Sequence, residues 1–188
     1  MIYPSVSAII LAGGQGARMG CRDKGLVEFD GRPLVAHVLA AIAPRVGRIA
    51  INANRNTDAY ARLGYPVVED RIAGYPGPLA GIAAGLDWCP TTELLVIPCD
   101  TPGIGGYCVE RLWGVLGEAD AAVAHDGRRL QPLHALVRER CRENLDHFLE
   151  TGGRRVDQWI QTLDWRQADC SDHPGMFINI NSPDMLHD

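Results

Sequence analysis

The amino-acid sequence predicts an α/β fold: a single three-layer αβα domain with a Rossmann-like, mainly parallel sheet. Two observations lead to this fold class. Short β-rich apolar runs alternate with longer stretches whose apolar residues recur at helical spacing, a pattern typical of βα units. Polar residues follow several of the apolar runs directly, as expected where ligands bind at the carboxyl ends of parallel strands. The 188 residues contain no linker-like or repeated segment, so we expect one domain over 1–188.

The predicted elements follow in order along the chain. Strands are expected over 5–11, 48–52, 66–69, 94–99, 121–125 and 132–137, with a last strand near 176–180. Helices are expected over 33–43, 57–63, 79–89, 107–116 and 138–149. The first strand leads into a Gly-rich loop. Asn52 and Asn54 lie at the end of the second strand, Asp70 at the end of the third and Asp100 at the end of the fourth. These groups should therefore meet at one edge of the sheet.

Composition and charge restrict the function classes. The net charge of -5 disfavours non-specific binding to nucleic acid or to an anionic membrane. A phosphate ligand then needs a local basic site, which either Arg18 with Lys24 or Arg154 with Arg155 could supply. The six cysteines show no CxxC spacing, so we expect reduced thiols rather than structural zinc. The sequence shows no signal peptide or membrane span, which predicts a cytoplasmic protein.

The Gly-rich loop is the first candidate site. It reads Leu11-Ala12-Gly13-Gly14, with Gly16, Arg18, Met19 and Gly20 following, and then Asp23-Lys24. Glycines let backbone amides approach a phosphate closely, and Arg18 and Lys24 add positive charge. The loop lacks the Gly-Lys-Ser/Thr ending of a Walker A motif. It also departs from the dinucleotide fingerprint, because Met19 stands at the third glycine and Asn52, not an acid, ends the second strand.

Two further motifs carry candidate ligands. Asp100 follows the apolar strand in Ile97-Pro98-Cys99-Asp100-Thr101-Pro102, and a carboxylate in that place suits Mg²⁺. The alternative is an ordinary turn, since Asp and Pro are common turn residues. Glu69-Asp70 precedes a second loop, Tyr75-Pro76-Gly77-Pro78-Leu79-Ala80-Gly81, which feeds a helix.

In combination, these motifs resemble the GT-A-like nucleotidyltransferases, and most closely the molybdenum cofactor guanylyltransferases. The resemblance implies that the first loop, through Leu11, Ala12, Gly13 and Gly14, wraps the nucleotide, with Lys24 and Arg18 on phosphate oxygens. It further implies that Asp100 is the Mg²⁺ ligand and that Asn52 and Asp70 contact the nucleotide. The N-terminal half would then hold GTP and Mg²⁺, and the C-terminal half would receive the pterin.

The second half supplies the acceptor candidates. Gln131-Pro132-Leu133-His134, Gly153-Arg154-Arg155-Val156 and Phe177-Ile178-Asn179-Ile180-Asn181-Ser182-Pro183 also resemble that family. The candidate residues are Arg154, Arg155, His134, Asn179 and Asn181, with the arginines as a phosphate clamp. Each has a plainer interpretation, because Arg pairs are usually solvated and Asn-Ser-Pro-Asp is a good helix N-cap.

The resemblance implies transfer of GMP from GTP to molybdenum-loaded molybdopterin, with release of pyrophosphate. Molybdenum-insertion proteins and molybdoenzyme chaperones would be its protein partners. Transfer of a cytidylyl group or a sugar-phosphate nucleotidyl transfer is the nearest alternative. An NAD-dependent dehydrogenase and a non-catalytic nucleotide-binding maturation factor are two others. The loop start at Gly13 and the run from Pro76 to Gly81 favour the guanylyl branch.

Overall fold

The computed structural model describes residues 1–13, 23–71 and 77–180. In chain order the strands are β1 (Tyr3–Leu11), β2 (Glu28–Phe29), β3 (Arg32–Pro33), β4 (Val46–Asn52), β5 (Val67–Val68), β6 (Glu93–Pro98), β7 (Ala121–His125), β8 (Leu130–Arg138) and β9 (Trp165–Asp169). The helices are α1 (Leu34–Ile42), α2 (Thr57–Ala61), α3 (Pro78–Trp88), α4 (Gly106–Leu116), α5 (Arg142–Glu150) and α6 (Val156–Ile160). Across these ranges, no helix is long and apolar enough to span a membrane.

Seven strands form one sheet in the order β5-β4-β1-β6-β8-β7-β9, and β2 pairs with β3 in a separate hairpin. β1 is parallel to β4 and β6, β4 is parallel to β5, and β7 is parallel to β9. β8 runs antiparallel to both β6 and β7. The prediction of a mainly parallel sheet is therefore confirmed, and the carboxyl ends of the parallel strands share one edge with the start of β8.

Helices cover both faces of this sheet and complete the predicted three layers. Alternate residues of a strand point to opposite faces, and accordingly Ile10 belongs to one buried cluster and Ile9 to the other. The first cluster includes apolar residues of α1 and α4, and the second includes those of α3, α5 and α6. The buried apolar stripe of each helix thus explains its place against the sheet.

The sequence-based elements are mostly confirmed, with differences in the second half. The strand expected near 176–180 is wrong: a 3-10 turn covers Pro174–Phe177, and residues 178–180 are irregular. The helix expected over 138–149 begins at Arg142, because β8 continues to Arg138 and a 3-10 turn covers Glu139–Cys141. The hairpin β2–β3, α6 and the edge strand β9 were not predicted.

Candidate active site at the carboxyl edge of the sheet

A cavity of about 600 Å³ opens at the carboxyl edge of the sheet. The ends of β1, β4 and β6, the residues after β5 and the first turn of α3 all contribute to its walls. Its lining residues are Leu11, Ala12, Gly13, Lys24, Asn52, Asn54, Arg55, Asp70, Gly77, Pro78, Pro98, Cys99, Asp100 and Leu133. Seven of the residues predicted to bind nucleotide therefore line one cavity: Leu11, Ala12, Gly13, Lys24, Asn52, Asp70 and Asp100. Its volume is that of a typical small-molecule site.

An ion pair between Lys24 and Asp100 occupies one wall of the cavity. The Nζ atom of Lys24 donates to Oδ2 of Asp100, and the two side chains are 18% and 13% exposed. The Oδ1 atom of Asp100 is buried and has no hydrogen-bond partner among the described residues. Because leaving a buried carboxylate oxygen unpaired is costly, this atom is suited to a ligand that supplies positive charge.

The two neighbours of Lys24 in the chain, Asp23 and Gly25, contact residues in and next to α2. Asp23 accepts hydrogen bonds from the hydroxyl of Tyr60 and, at 3.0 Å, from Nδ2 of Asn56. Burial, together with the bond to Asp23, raises the pKa of Tyr60, so its hydroxyl stays a donor. Gly25 lies so close to Tyr60 that a Cβ atom would come within 2.4 Å of the hydroxyl oxygen. The segment around Lys24 is thus held against α2.

A second polar cluster forms the opposite wall, where β4 and β5 end. The carboxylate of Asp70 accepts from Nδ2 of Asn52 at 2.8 Å and from Nδ2 of Asn54 at 2.7 Å. The backbone N–H of Asp70 donates to Oδ1 of Asn54 at 2.8 Å. Asn52 also donates to the carbonyl of Val68 at 3.1 Å. These bonds orient an acid and two amides on one rigid strand end, an arrangement suited to a base edge or a ribose hydroxyl.

Helix α3 approaches this cluster through a glycine. A Cβ atom at Gly81 would lie 2.3 Å from Oδ1 of Asn52 and 2.8 Å from a methyl carbon of Leu11. Only a residue without a side chain allows this contact. The first turn of α3, with Pro78 at its start, lines the cavity, and the free N–H groups of a helix N-terminus favour an anion.

The acceptor candidates fall into two groups. Asn179 donates from Nδ2 to Oδ2 of Asp100 at 3.2 Å, so the structure brings it to the predicted metal ligand. His134 does not line the cavity: its side chain is buried, Nε2 lies 3.2 Å from the hydroxyl of Thr101, and its ring packs against Phe177. Burial lowers the pKa of His134 to about 3, so it is neutral near pH 7.

Arg154 and Arg155 lie in the turn between α5 and α6, outside the cavity wall. Arg154 donates to the carbonyls of Leu149 and Gly153, at 3.0 and 2.6 Å. Arg155 forms an exposed ion pair with Asp157 at 2.6 Å. Their assignment as a phosphate clamp stays a prediction. Arg18, Gly14 and Asn181 lie outside the described residues.

Two polar cavity residues, Asn54 and Arg55, are absent from the set of predicted nucleotide contacts. The sequence does place Asn54 with Asn52 at the end of the second strand, and Arg55 follows Asn54 directly. Asn54 aligns the carboxylate of Asp70, as described above. Arg55 adds a second cationic residue to the cavity beside Lys24.

The donor set is compatible with Mg²⁺. Asp100 offers a carboxylate oxygen, the type of ligand that this hard cation prefers. Within the described ranges, no group of three or more His, Cys, Asp or Glu side chains could hold a metal.

The fold and the cavity together define an α/β domain with a small-molecule site at the carboxyl edge of its sheet, and this site contains a paired lysine and aspartate. The model of the MobA-like NTP transferase domain matches residues 8–167. The chain belongs to this family of nucleotidyltransferases, and the alternative of an NAD-dependent dehydrogenase is thereby excluded.

Individual relatives agree along nearly the whole chain. The molybdenum cofactor guanylyltransferase of Shewanella sediminis is 43% identical over 95% of this chain and 92% of its own. The molybdenum cofactor guanylyltransferase of Vibrio parahaemolyticus is 42% identical, and the match covers 99% of this chain and 96% of the relative.

Solved structures share the fold. Molybdopterin-guanine dinucleotide biosynthesis protein A of Archaeoglobus fulgidus has a TM-score of 0.79 at 24% identity and covers 96% of this chain and 94% of its own. The 2-C-methyl-D-erythritol 4-phosphate cytidylyltransferase of Thermus thermophilus has a TM-score of 0.70 at 16% identity, covering 95% and 94%. At these identities the two structures show that the fold is shared.

Proposed function

We propose that this enzyme transfers GMP from GTP to the terminal phosphate of molybdenum-loaded molybdopterin in a Mg²⁺-dependent reaction. The products are the guanine dinucleotide form of the molybdenum cofactor and pyrophosphate. The observation that carries the proposal is the pairing of Lys24 with Asp100 on one wall of a nucleotide-sized cavity. The names and near-complete coverage of the relatives support GTP and molybdopterin as its substrates.

The reaction is an in-line displacement at the α-phosphorus of GTP. An oxygen of the pterin phosphate forms the new bond, and the bond from the α-phosphorus to the β-phosphate oxygen breaks. Pyrophosphate leaves with that electron pair. No protein nucleophile is required, so the enzyme contributes positioning and electrostatic stabilisation.

Each wall of the cavity has a separate task. Lys24 leaves Asp100 for the triphosphate and stabilises the charge that develops on the departing pyrophosphate. Asp100 would hold Mg²⁺ through Oδ1, the carboxylate oxygen that has no hydrogen-bond partner among the described residues. The chemistry that Mg²⁺ supplies when bound is charge neutralisation between the incoming phosphate and the triphosphate. The Asn52–Asp70–Asn54 cluster orients the nucleoside.

The base preference follows from hydrogen-bonding capacity. Guanine presents two donors, N1–H and the 2-amino group, beside the acceptor O6. A carboxylate has more acceptor sites than the bonds from Asn52 and Asn54 occupy. Asp70 and strand-end carbonyls can therefore accept from guanine, while adenine would leave polar groups unpaired.

A coupled assay with GTP, molybdopterin and Mg²⁺ tests the proposal directly. Pyrophosphate release and a guanylylated pterin in the mass spectrum are the expected results. If mixed triphosphates give a cytidylylated product, the enzyme is a cytidylyltransferase instead. Nucleotide binding without pyrophosphate release, despite active pterin and Mg²⁺, would support the non-catalytic maturation factor instead.

A further inference from the structure

A buried chain of contacts connects β6, β8 and the segment after β9 directly beneath Asp100. Thr101, the residue after Asp100, is fully buried, and its hydroxyl lies 3.2 Å from Nε2 of His134. The His134 ring meets the ring of Phe177 edge to face, with 4.9 Å between the centroids. Three elements that are distant in sequence thus meet at one histidine.

Two of these elements, the residues after β6 and the segment after β9, meet again at Asp100 itself. Asn179 donates to Oδ2 of Asp100 at 3.2 Å, and the backbone N–H of Ile180 donates to the Asp100 carbonyl at 2.9 Å. Residues 178–180 have no strand partner. They are joined to the rest of the fold by these two bonds, by the bond from the Ile178 N–H to the Gly175 carbonyl, and by the buried side chains of Phe177 and Ile180.

We propose that His134 is a positioning residue for Asp100: it bonds to Thr101, packs on Phe177, and thereby holds the Asp100 turn and residues 178–180 in register. His134 is not a catalytic residue in this account, since it is 2% exposed and does not line the cavity. The inference rests on the proposed function, in which Asp100 holds Mg²⁺ against the triphosphate.

The two contacts of His134 can be removed separately. His134→Phe keeps a ring against Phe177 but loses the bond to Thr101. His134→Gln loses the ring but places an amide near the former position of Nε2. Thr101→Val removes the hydroxyl with little change of shape. Leu145→Ala, in the opposite core cluster, is the control for a general loss of stability, because Leu145 is fully buried and remote from Asp100.

At a temperature where every variant is folded, His134→Phe should lower kcat by ~10-fold or more, as small displacements of reacting groups do. It should also raise the Mg²⁺ concentration that gives the half-maximal rate. GTP affinity measured in EDTA should stay unchanged. Thr101→Val should act in the same direction, although it also removes the 3.4 Å bond from the Thr101 hydroxyl to the carbonyl of Pro98. The double variant should be no worse than the more severe single one, because both variants remove the same His134–Thr101 hydrogen bond. His134→Gln should recover part of the rate.

The inference is overturned if His134→Phe behaves like Leu145→Ala, with a lower melting temperature but a normal kcat and Mg²⁺ response. Additive effects of His134→Phe and Thr101→Val would overturn it as well. Calorimetry of GTP binding with and without Mg²⁺ separates this failure from that of the proposed function. If the wild-type enzyme makes no product, the proposed function fails. The positioning role is then still tested by calorimetry, which compares the gain in GTP affinity on adding Mg²⁺ between His134→Phe and the wild type.

Discussion

The ammonium group of Lys24 lies against Oδ2 of Asp100, across 76 residues of chain and on the wall of the cavity. The other oxygen of Asp100 has no partner among the described residues. A cation and a carboxylate that neutralise each other without substrate can both turn to a triphosphate that arrives with its metal. This pairing brings the two strongest sequence candidates into one site, and it is the basis of the first two predictions.

Bound GTP should protect Lys24 from chemical modification. It is the only lysine in the sequence, so an amine-reactive ester has one side-chain target and the amine of Met1. We expect GTP with Mg²⁺ to slow labelling of Lys24 but not of Met1, as measured by peptide mass mapping. Lys24→Ala should weaken GTP binding by ~1.5–3 kcal/mol, the value of a charge-assisted hydrogen bond, and should slow turnover as well. Equal labelling with and without GTP, together with unchanged GTP affinity, would place the phosphates elsewhere.

Asp100→Ala should lower kcat by ~10²-fold or more, the loss seen when one key electrostatic stabiliser is removed. The fold should be retained, because the carboxylate lies at a strand end rather than in the apolar core. Initial rates over a range of Mg²⁺ concentrations measure the effect. Asp172→Ala, which removes an exposed carboxylate paired with Arg111, is the matched control. Near wild-type rates for Asp100→Ala at the same Mg²⁺ would contradict the metal assignment.

Gly81→Ala should weaken GTP binding, although it changes no polar group. The added Cβ would lie 2.3 Å from Oδ1 of Asn52, so Asn52 must move and its bond to Asp70 is lost. Gly114→Ala on α4 is a matched control, because its added Cβ would meet no atom of the described residues within 4 Å apart from the neighbouring backbone of its own helix. That control should bind GTP normally and gain ~0.5–1 kcal/mol in stability, the cost of glycine within a helix. Calorimetric titration and thermal melting compare the two; equal GTP affinity in both variants would refute the close-approach argument.

GTP should be preferred over ATP and CTP by ~10²-fold or more in kcat/KM, which corresponds to about two unpaired buried polar groups. A competition with equal GTP, ATP and CTP, followed by mass analysis of the pterin product, measures this ratio. Asp70→Ala should reduce the preference for GTP, since it removes the acceptor that Asn52 and Asn54 orient. If ATP and CTP are used as well as GTP by the wild type, the cavity does not discriminate between bases.

His134 should contribute to acid sensitivity of the fold. Burial lowers its pKa from 6.5 to about 3, so between these values the unfolded chain binds a proton that the native state does not. Stability should therefore fall as the pH decreases from 6.5 towards 3, by ~1.4 kcal/mol per pH unit for one proton. Urea unfolding at several pH values measures the free energy of unfolding, and this free energy should change less steeply with pH for His134→Phe than for the wild type. His147→Ala, an exposed histidine on α5, is the control, and identical slopes in all three proteins would contradict the prediction.

The sequence by itself determined the alternation of strands and helices and the set of polar residues at strand ends. Both depend on local information: apolar periodicity gives the element type, and the end of a buried run gives the position of Asn52, Asp70 and Asp100. Strand β9 was missed because it is half exposed and polar, so no apolar run marks it. The run around Phe177 indicated a strand, yet it packs as a 3-10 turn behind Pro174.

Only the tertiary structure decided how these residues pair. Lys24 with Asp100, and Asn52 and Asn54 with Asp70, are contacts across loops, and their formation depends on strand order and register. The fold likewise places His134, an acceptor candidate from the sequence, in the interior beside Thr101, because β8 pairs with β6. Periodicity fixes which residues face a core, but the neighbour that each one meets there is set by the packing of distant segments.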